Sequence, residues 1–143
     1  MEQQNFQNHS QNVKGYLALA FVLVLSIIGS GVNLYHSWGN HDRFYSAALL
    51  FVLMWLVFFT AYYARAFALK AQDRGVRAEE NLRHFVLTGK LLDPRLTIQQ
   101  VIGLRFASDA EFVELAKKAA DTGMAMNDIK KAVKNWRGDY HRV

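Results

Sequence analysis

The sequence predicts an all-α protein: a two-helix transmembrane hairpin with a long second helix extending into a small C-terminal helical cytoplasmic subdomain. Three observations carry this. Residues 15–35 and 44–64 are two runs of 21 residues without a formal charge. The charges gather elsewhere, and residues 65–143 hold 15 Lys and Arg against 10 Asp and Glu, which is the whole of the net +5. Beyond residue 88, hydroxyl caps and glycine stops punctuate short apolar stripes of helical spacing. The chain of 143 residues therefore divides into a polar N-terminal segment 1–14, a hairpin 15–64 and a cytoplasmic subdomain 65–143.

At about 1.5 Å per residue, each uncharged run covers the roughly 30 Å of a bilayer's hydrocarbon. The eight residues between them, 36–43, form the outer loop. Two buried helices of a soluble fold would need a shell of amphipathic elements, and the remaining chain is too short and polar to supply it. Orientation follows from basic flanks, which stay cytoplasmic. Lys14 precedes the first span, Arg65, Lys70, Arg74, Arg77 and Arg83 follow the second, and the outer loop has only Arg43. Both termini are expected inside. The stretch Gly29-Ser30-Gly31 mimics a signal-peptide cleavage site, but Val32 and Leu34 continue the apolar run past it, so the first span reads as retained.

Helices in lipid gain nothing from hydrophobic association, so small residues mark their contact faces. Ser26, Gly29, Ser30 and Asn33 form such a stripe on the first span, and Ala61, Ala64 and Ala68 on the second. The spans contain no Asp, Glu, Lys or Arg, which are the usual marks of ion or proton transport.

Between residues 64 and 88 only Gly75 weakens helix formation, so the second span is predicted to run unbroken to Thr88, where Thr88-Gly89 supplies a stop. Asp73–Arg77, Glu79–Arg83 and Glu80–His84 have the spacing of stabilising i,i+4 pairs. Asp93-Pro94 reads as a turn. Two capping boxes follow, Thr97 with Gln100 and Ser108 with Glu111, which start helices at 98–106 and 109–122. Gly123 ends the latter. A last helix begins near Asn127 and carries Ile129, Ala132, Val133 and Trp136 on one face. Phe106, Phe112, Leu115, Ile129, Val133 and Trp136 are expected to share a core, with Lys117, Lys118, Lys130, Lys131 and Lys134 in solvent.

Absent cysteine excludes disulfides, thiolate metal sites and cysteine nucleophiles. No phosphate loop, zinc-protease motif, nucleophile elbow or Ca²⁺ loop occurs, and no cofactor or catalytic constellation is expected. His36, His41 and Asp42 lack the spacing of a metal site. An enzyme would require a pocket at the junction of tail and membrane that gathers distant groups such as His84, Asp93 and Arg105. Ala119, Gly123, Ile129 and Ala132 match the tight-turn positions of a helix-turn-helix, with Lys130, Lys131, Lys134 and Arg137 on the following helix. That spacing suits any short helical hairpin, and a basic last helix equally fits a lipid surface or an acidic partner.

The runs ARAFALKAQDR (64–74), LTIQQVIGLRFASDAEF (96–112) and IKKAVKNWRGDYHRV (129–143), with the lead-in QNFQNHSQNVKGY (4–16), resemble a bacterial family of small two-span membrane proteins of unknown function with a basic helical tail. Gly138 departs from its pattern, where proline is more usual. The resemblance implies a multi-pass protein of the bacterial cytoplasmic membrane and implies no activity or cofactor. The expected function is that of an integral membrane adaptor or accessory subunit. Its candidate partner or lipid surface is Lys130, Lys131, Lys134 and Arg137, and its partners are membrane lipid and a protein or a second copy rather than nucleic acid.

Overall fold

A computed structural model describes residues 4–8 and 13–138. Within them the chain is all-helical, with α1 Lys14–His36, α2 His41–Thr88, α3 Ile98–Leu104, α4 Asp109–Thr122 and α5 Met126–Ala132. Two of these helices, α1 and α2, are long and apolar enough to cross a membrane. The chain falls into two compact units, Asn12–Ala68 and Met1–Gln11 with Leu69–Val143.

In the first unit α1 ends where Ser37 returns its backbone N–H to Asn33 and Leu34 and its Oγ to the Asn33 carbonyl at 2.8 Å. Gly39, at φ 90°, makes a turn that a Cβ would strain. Helix α2 begins at His41 rather than Phe44, because the Asn40 carbonyl accepts from Phe44 N at 2.8 Å and its side chain from Arg43 N. The connection is therefore shorter than the sequence suggests. The helices touch where Gly31 faces Phe51, where Tyr16, Leu19, Ala20 and Leu23 meet Phe58, Ala61 and Tyr62 around a cleft, and where Arg65 lies 5.2 Å from the Tyr16 ring centre. Most other side chains of these segments are exposed.

In the second unit α2 continues without a break to Thr88, and Gly89 (φ 73°) ends it with its N–H on the Phe85 carbonyl. Asn81 Oδ1 then accepts from Leu92 N and His84 Nδ1 lies 2.7 Å from the Lys90 carbonyl, so the chain folds back along the helix it has left. The Thr97–Gln100 capping box forms as expected, and Gln100 also donates to the carbonyls of Ala119 and Met124, tying α3 to the end of α4. Gly123 caps α4 in the left-handed conformation. The core gathers Val76 of α2, Leu96, Val101 and Leu104, Phe112 and Leu115 of α4, and Ile129 of α5.

Two helix ends in the tail differ from the sequence reading. Helix α3 ends at Leu104 instead of Phe106, and α5 ends at Ala132 instead of running through Trp136. Both ends yield to a tertiary pairing, in which Ala107 and Trp136 form an antiparallel bridge and Arg137 N donates to the Phe106 carbonyl. The second capping box does not form either. Ser108 Oγ donates to the Glu111 carboxylate, which is turned to the backbone N–H groups of Lys134 and Asn135 at 2.9 and 2.8 Å.

Candidate functional site

The last helix and the segment behind it are built on Phe106. The ring is fully buried, with Trp136 at 4.9 Å and the Arg105 guanidinium at 4.9 Å from its centre. Lys130 belongs to this packing, 8% exposed, with Nζ 5.5 Å from the same centre. The expectation that Lys130 stays solvated is therefore corrected: it sits one residue past the buried Ile129, and its stem covers the aromatic ring while the charge gains the ring's negative face.

Lys131, Lys134 and Arg137 are exposed. They do not lie on one helix. Lys131 is in the last turn of α5, whereas Lys134 lies in the bend that follows, its N–H on the Glu111 carboxylate, and Arg137 comes after the bridge with its N–H on the Phe106 carbonyl. Carboxylate and amides fix one another, and the Lys134 N–H, with that of Asn135, holds the Glu111 carboxyl below the usual carboxylate range. A recognition helix would need its basic side chains on one continuous face, and a seven-residue α5 with Lys130 turned inward lacks that face.

The N-terminal lead-in supplies a neighbour that the sequence did not signal. Asn5 Oδ1 accepts from Gln7 N and Asn8 N, a local turn, and Phe6 lies with its ring centre 5.8 Å from Lys131 Nζ. Gln4 is 5% exposed.

A second polar centre holds α2 to α4. Arg83 reaches Asp109 at 2.6 Å, Glu80 at 3.0 Å and the Ala107 carbonyl at 2.7 Å, and lies 4.3 Å from the Phe112 ring centre. His84, Asp93 and Arg105 have separate engagements. His84 serves the end of α2, Asp93 pairs with Arg95, and Arg105 covers Phe106. Arg95, bonded to Asp93 and Asp121, holds the Asp93 carboxyl below its ordinary range.

No curated protein and no solved structure matches the chain. A family profile does match, over residues 1–143, and it is that of a family of unknown function, DUF6526. The chain belongs to the DUF6526 family. In this DUF6526 member the small residues of the long helices divide between two environments. Ser30 is buried and Ser26 half-buried with its hydroxyl on the Val22 carbonyl, and Ala61 and Ala68 are half-buried. Gly29, Asn33 and Ala64 are exposed.

Proposed function

We propose that the chain is a two-span protein of the bacterial cytoplasmic membrane with both termini in the cytoplasm. Its tail is an adaptor or accessory module that docks through Lys131, Lys134 and Arg137 onto an anionic surface, an acidic protein face or anionic headgroups. The observation that carries the membrane assignment is exposure. Of the apolar windows in α1 and α2 only 11% and 6% are buried, whereas a core helix of a soluble fold is covered on most sides. Left in water, side chains such as Phe21 and Leu56 would forfeit about 25 cal/mol per Å² of apolar surface. Lipid removes that cost.

The contacts of Tyr16 with Arg65 and of Gly31 with Phe51 run in opposite order along the two helices, which supports an antiparallel hairpin. The basic flank of α2 supports an inward-facing tail. Placement of residues 4–8 in the tail unit, with Phe6 beside Lys131, supports the same side for the N-terminus, since a segment that packs on the tail shares its compartment. The docking surface is supported by the frame behind it, in which Glu111 and Phe106 anchor the backbone that presents Lys134 and Arg137.

A phosphatase reporter that works only outside the cytoplasm should be active when inserted at Gly39 and silent when fused after residue 143. The reverse pattern would overturn the orientation. Replacing Lys131, Lys134 and Arg137 together by Glu should abolish retention of the detergent-solubilised chain on a resin bearing anionic headgroups or remove a copurifying partner, each cation near an anionic surface being worth about 1 kcal/mol. Loss of retention on the resin assigns the surface to headgroups and loss of a partner assigns it to protein. If neither changes, the docking role fails.

A further inference from the structure

The portion of α2 in the tail unit has two faces. Val76 and Glu80 point into the tail core and are buried. On the opposite face Ala71, Gly75, Ala78, Leu82 and Phe85 are all exposed and recur at alternating steps of four and three, the a and d positions of a heptad. Leu82 and Phe85 are 64% and 50% exposed, and beside them Val86 is 75% exposed. A Cβ at Gly75 would meet nothing within 4 Å, so the backbone there is open to close approach.

Lipid does not account for this face on the membrane reading proposed above. Leu82 lies 18 residues of helix beyond Ala64, about 27 Å, while the headgroup zone is about 5–8 Å deep on each side. Charge selects the occupant. With Leu82 at an a position, Arg74 falls at g and Glu79 at the following e, both exposed. In a parallel pair of identical helices, g of one copy meets e of the other five residues on, so Arg74 faces the second copy's Glu79 and the reciprocal contact repeats it. Two copies inserted in one membrane are necessarily parallel, and confinement to the bilayer raises their effective concentration enough for a short seam to associate.

We infer that the exposed face of α2 bearing Ala78, Leu82 and Phe85 is a parallel self-association surface, whose partner is a second copy of this chain. The inference rests on the membrane assignment for its parallel geometry. Ala64 and Ala68 hold the preceding d and a positions in sequence and continue the same register.

The chain has no cysteine, so single substitutions report cleanly. In membranes treated with a mild oxidant, full-length Gly75→Cys, Ala78→Cys and Leu82→Cys should form disulfide-linked dimers. Arg77→Cys and Leu87→Cys, exposed on other faces, should not. Glu79→Arg should lower the Leu82→Cys dimer yield by about fivefold, and adding Arg74→Glu should restore it. Equal crosslinking at seam and control positions, no dimer at any seam position, or an adduct only with another protein would each overturn the inference. The same membranes are extracted with carbonate. Release of the chain would refute the membrane assignment, whereas carbonate-resistant chain without seam crosslinks refutes the dimer alone.

Discussion

The Arg83 guanidinium stacks 4.3 Å from the centre of the Phe112 ring while it bonds Asp109, and the two contacts fasten α2 to the start of α4. Its side chain is 10% exposed, and that of its other partner, Glu80, 7%. Removing the cation leaves the Glu80 carboxylate buried without its partner, which typically costs about 3–5 kcal/mol. Arg83→Ala should therefore destabilise the tail by about that amount in denaturant unfolding of the full chain in detergent. Arg83→Lys should recover only part of it, because an ammonium cannot offer separate donors to Glu80, Asp109 and the Ala107 carbonyl in one plane.

Gly103 sets the spacing of α3 and α5. A Cβ there would stand 3.1 Å from the Met126 carbonyl oxygen and 3.2 Å from Ile129 Cγ2. The carbonyl is backbone and cannot rotate aside. Gly103→Ala should thus cost about 1–3 kcal/mol in the same unfolding experiment, despite alanine's better helix propensity. A variant as stable as the parent would show that the contact is looser than these distances require.

Local signals in this chain were legible and distant ones were not. The Thr97–Gln100 box, the stops at Gly89 and Gly123 and the continuous α2 each depend on residues within one turn of each other. The ends of α3 and α5 depend on the pairing of Ala107 with Trp136, which no helical periodicity encodes. The three-residue spacing from Ser108 assigns Glu111 to its own helix start. Its carboxylate accepts from Ser108 Oγ but also from amides more than twenty residues away, and the N-cap bond is not made. Arg83 likewise carries a visible i,i+4 partner in Glu79, but its structural partners are Glu80 and Asp109. Of the basic cluster, exposure was legible for Lys131, Lys134 and Arg137. Lys130 lies too close in helical angle to Ile129 for polarity alone to decide its side.

Lys130 and Lys131 should consequently separate in mutagenesis. Lys130→Glu turns a carboxylate toward the negative face of Phe106 and buries it, so destabilisation of about 2 kcal/mol or more is expected. Lys131→Glu, on the exposed side, should leave unfolding within about 0.5 kcal/mol of the parent. Equal effects would mean that Lys130 is not part of the core.

Glu111 predicts how the tail responds to acid. The Lys134 and Asn135 amides stabilise its ionised form, so the folded pKa lies below the unfolded one. As pH falls, the unfolded chain therefore takes up the proton first. The stabilisation is complete above the ordinary glutamate value of about 4.3 and is lost as pH falls through the depressed folded value. Losing the charge weakens the two bonds that hold residues 133–137 against α4, and those bonds also position Lys134 and Arg137. Hydrogen exchange at the Lys134 and Asn135 amides, corrected for its intrinsic pH dependence, should accelerate below about pH 4 relative to the amides of α4. Glu111→Gln retains an acceptor but cannot ionise, so it should exchange faster at neutral pH and contribute no acid step of its own. Persistence of the step in Glu111→Gln would assign it to another carboxylate, of which Asp93, also held below its ordinary range, is the next to substitute.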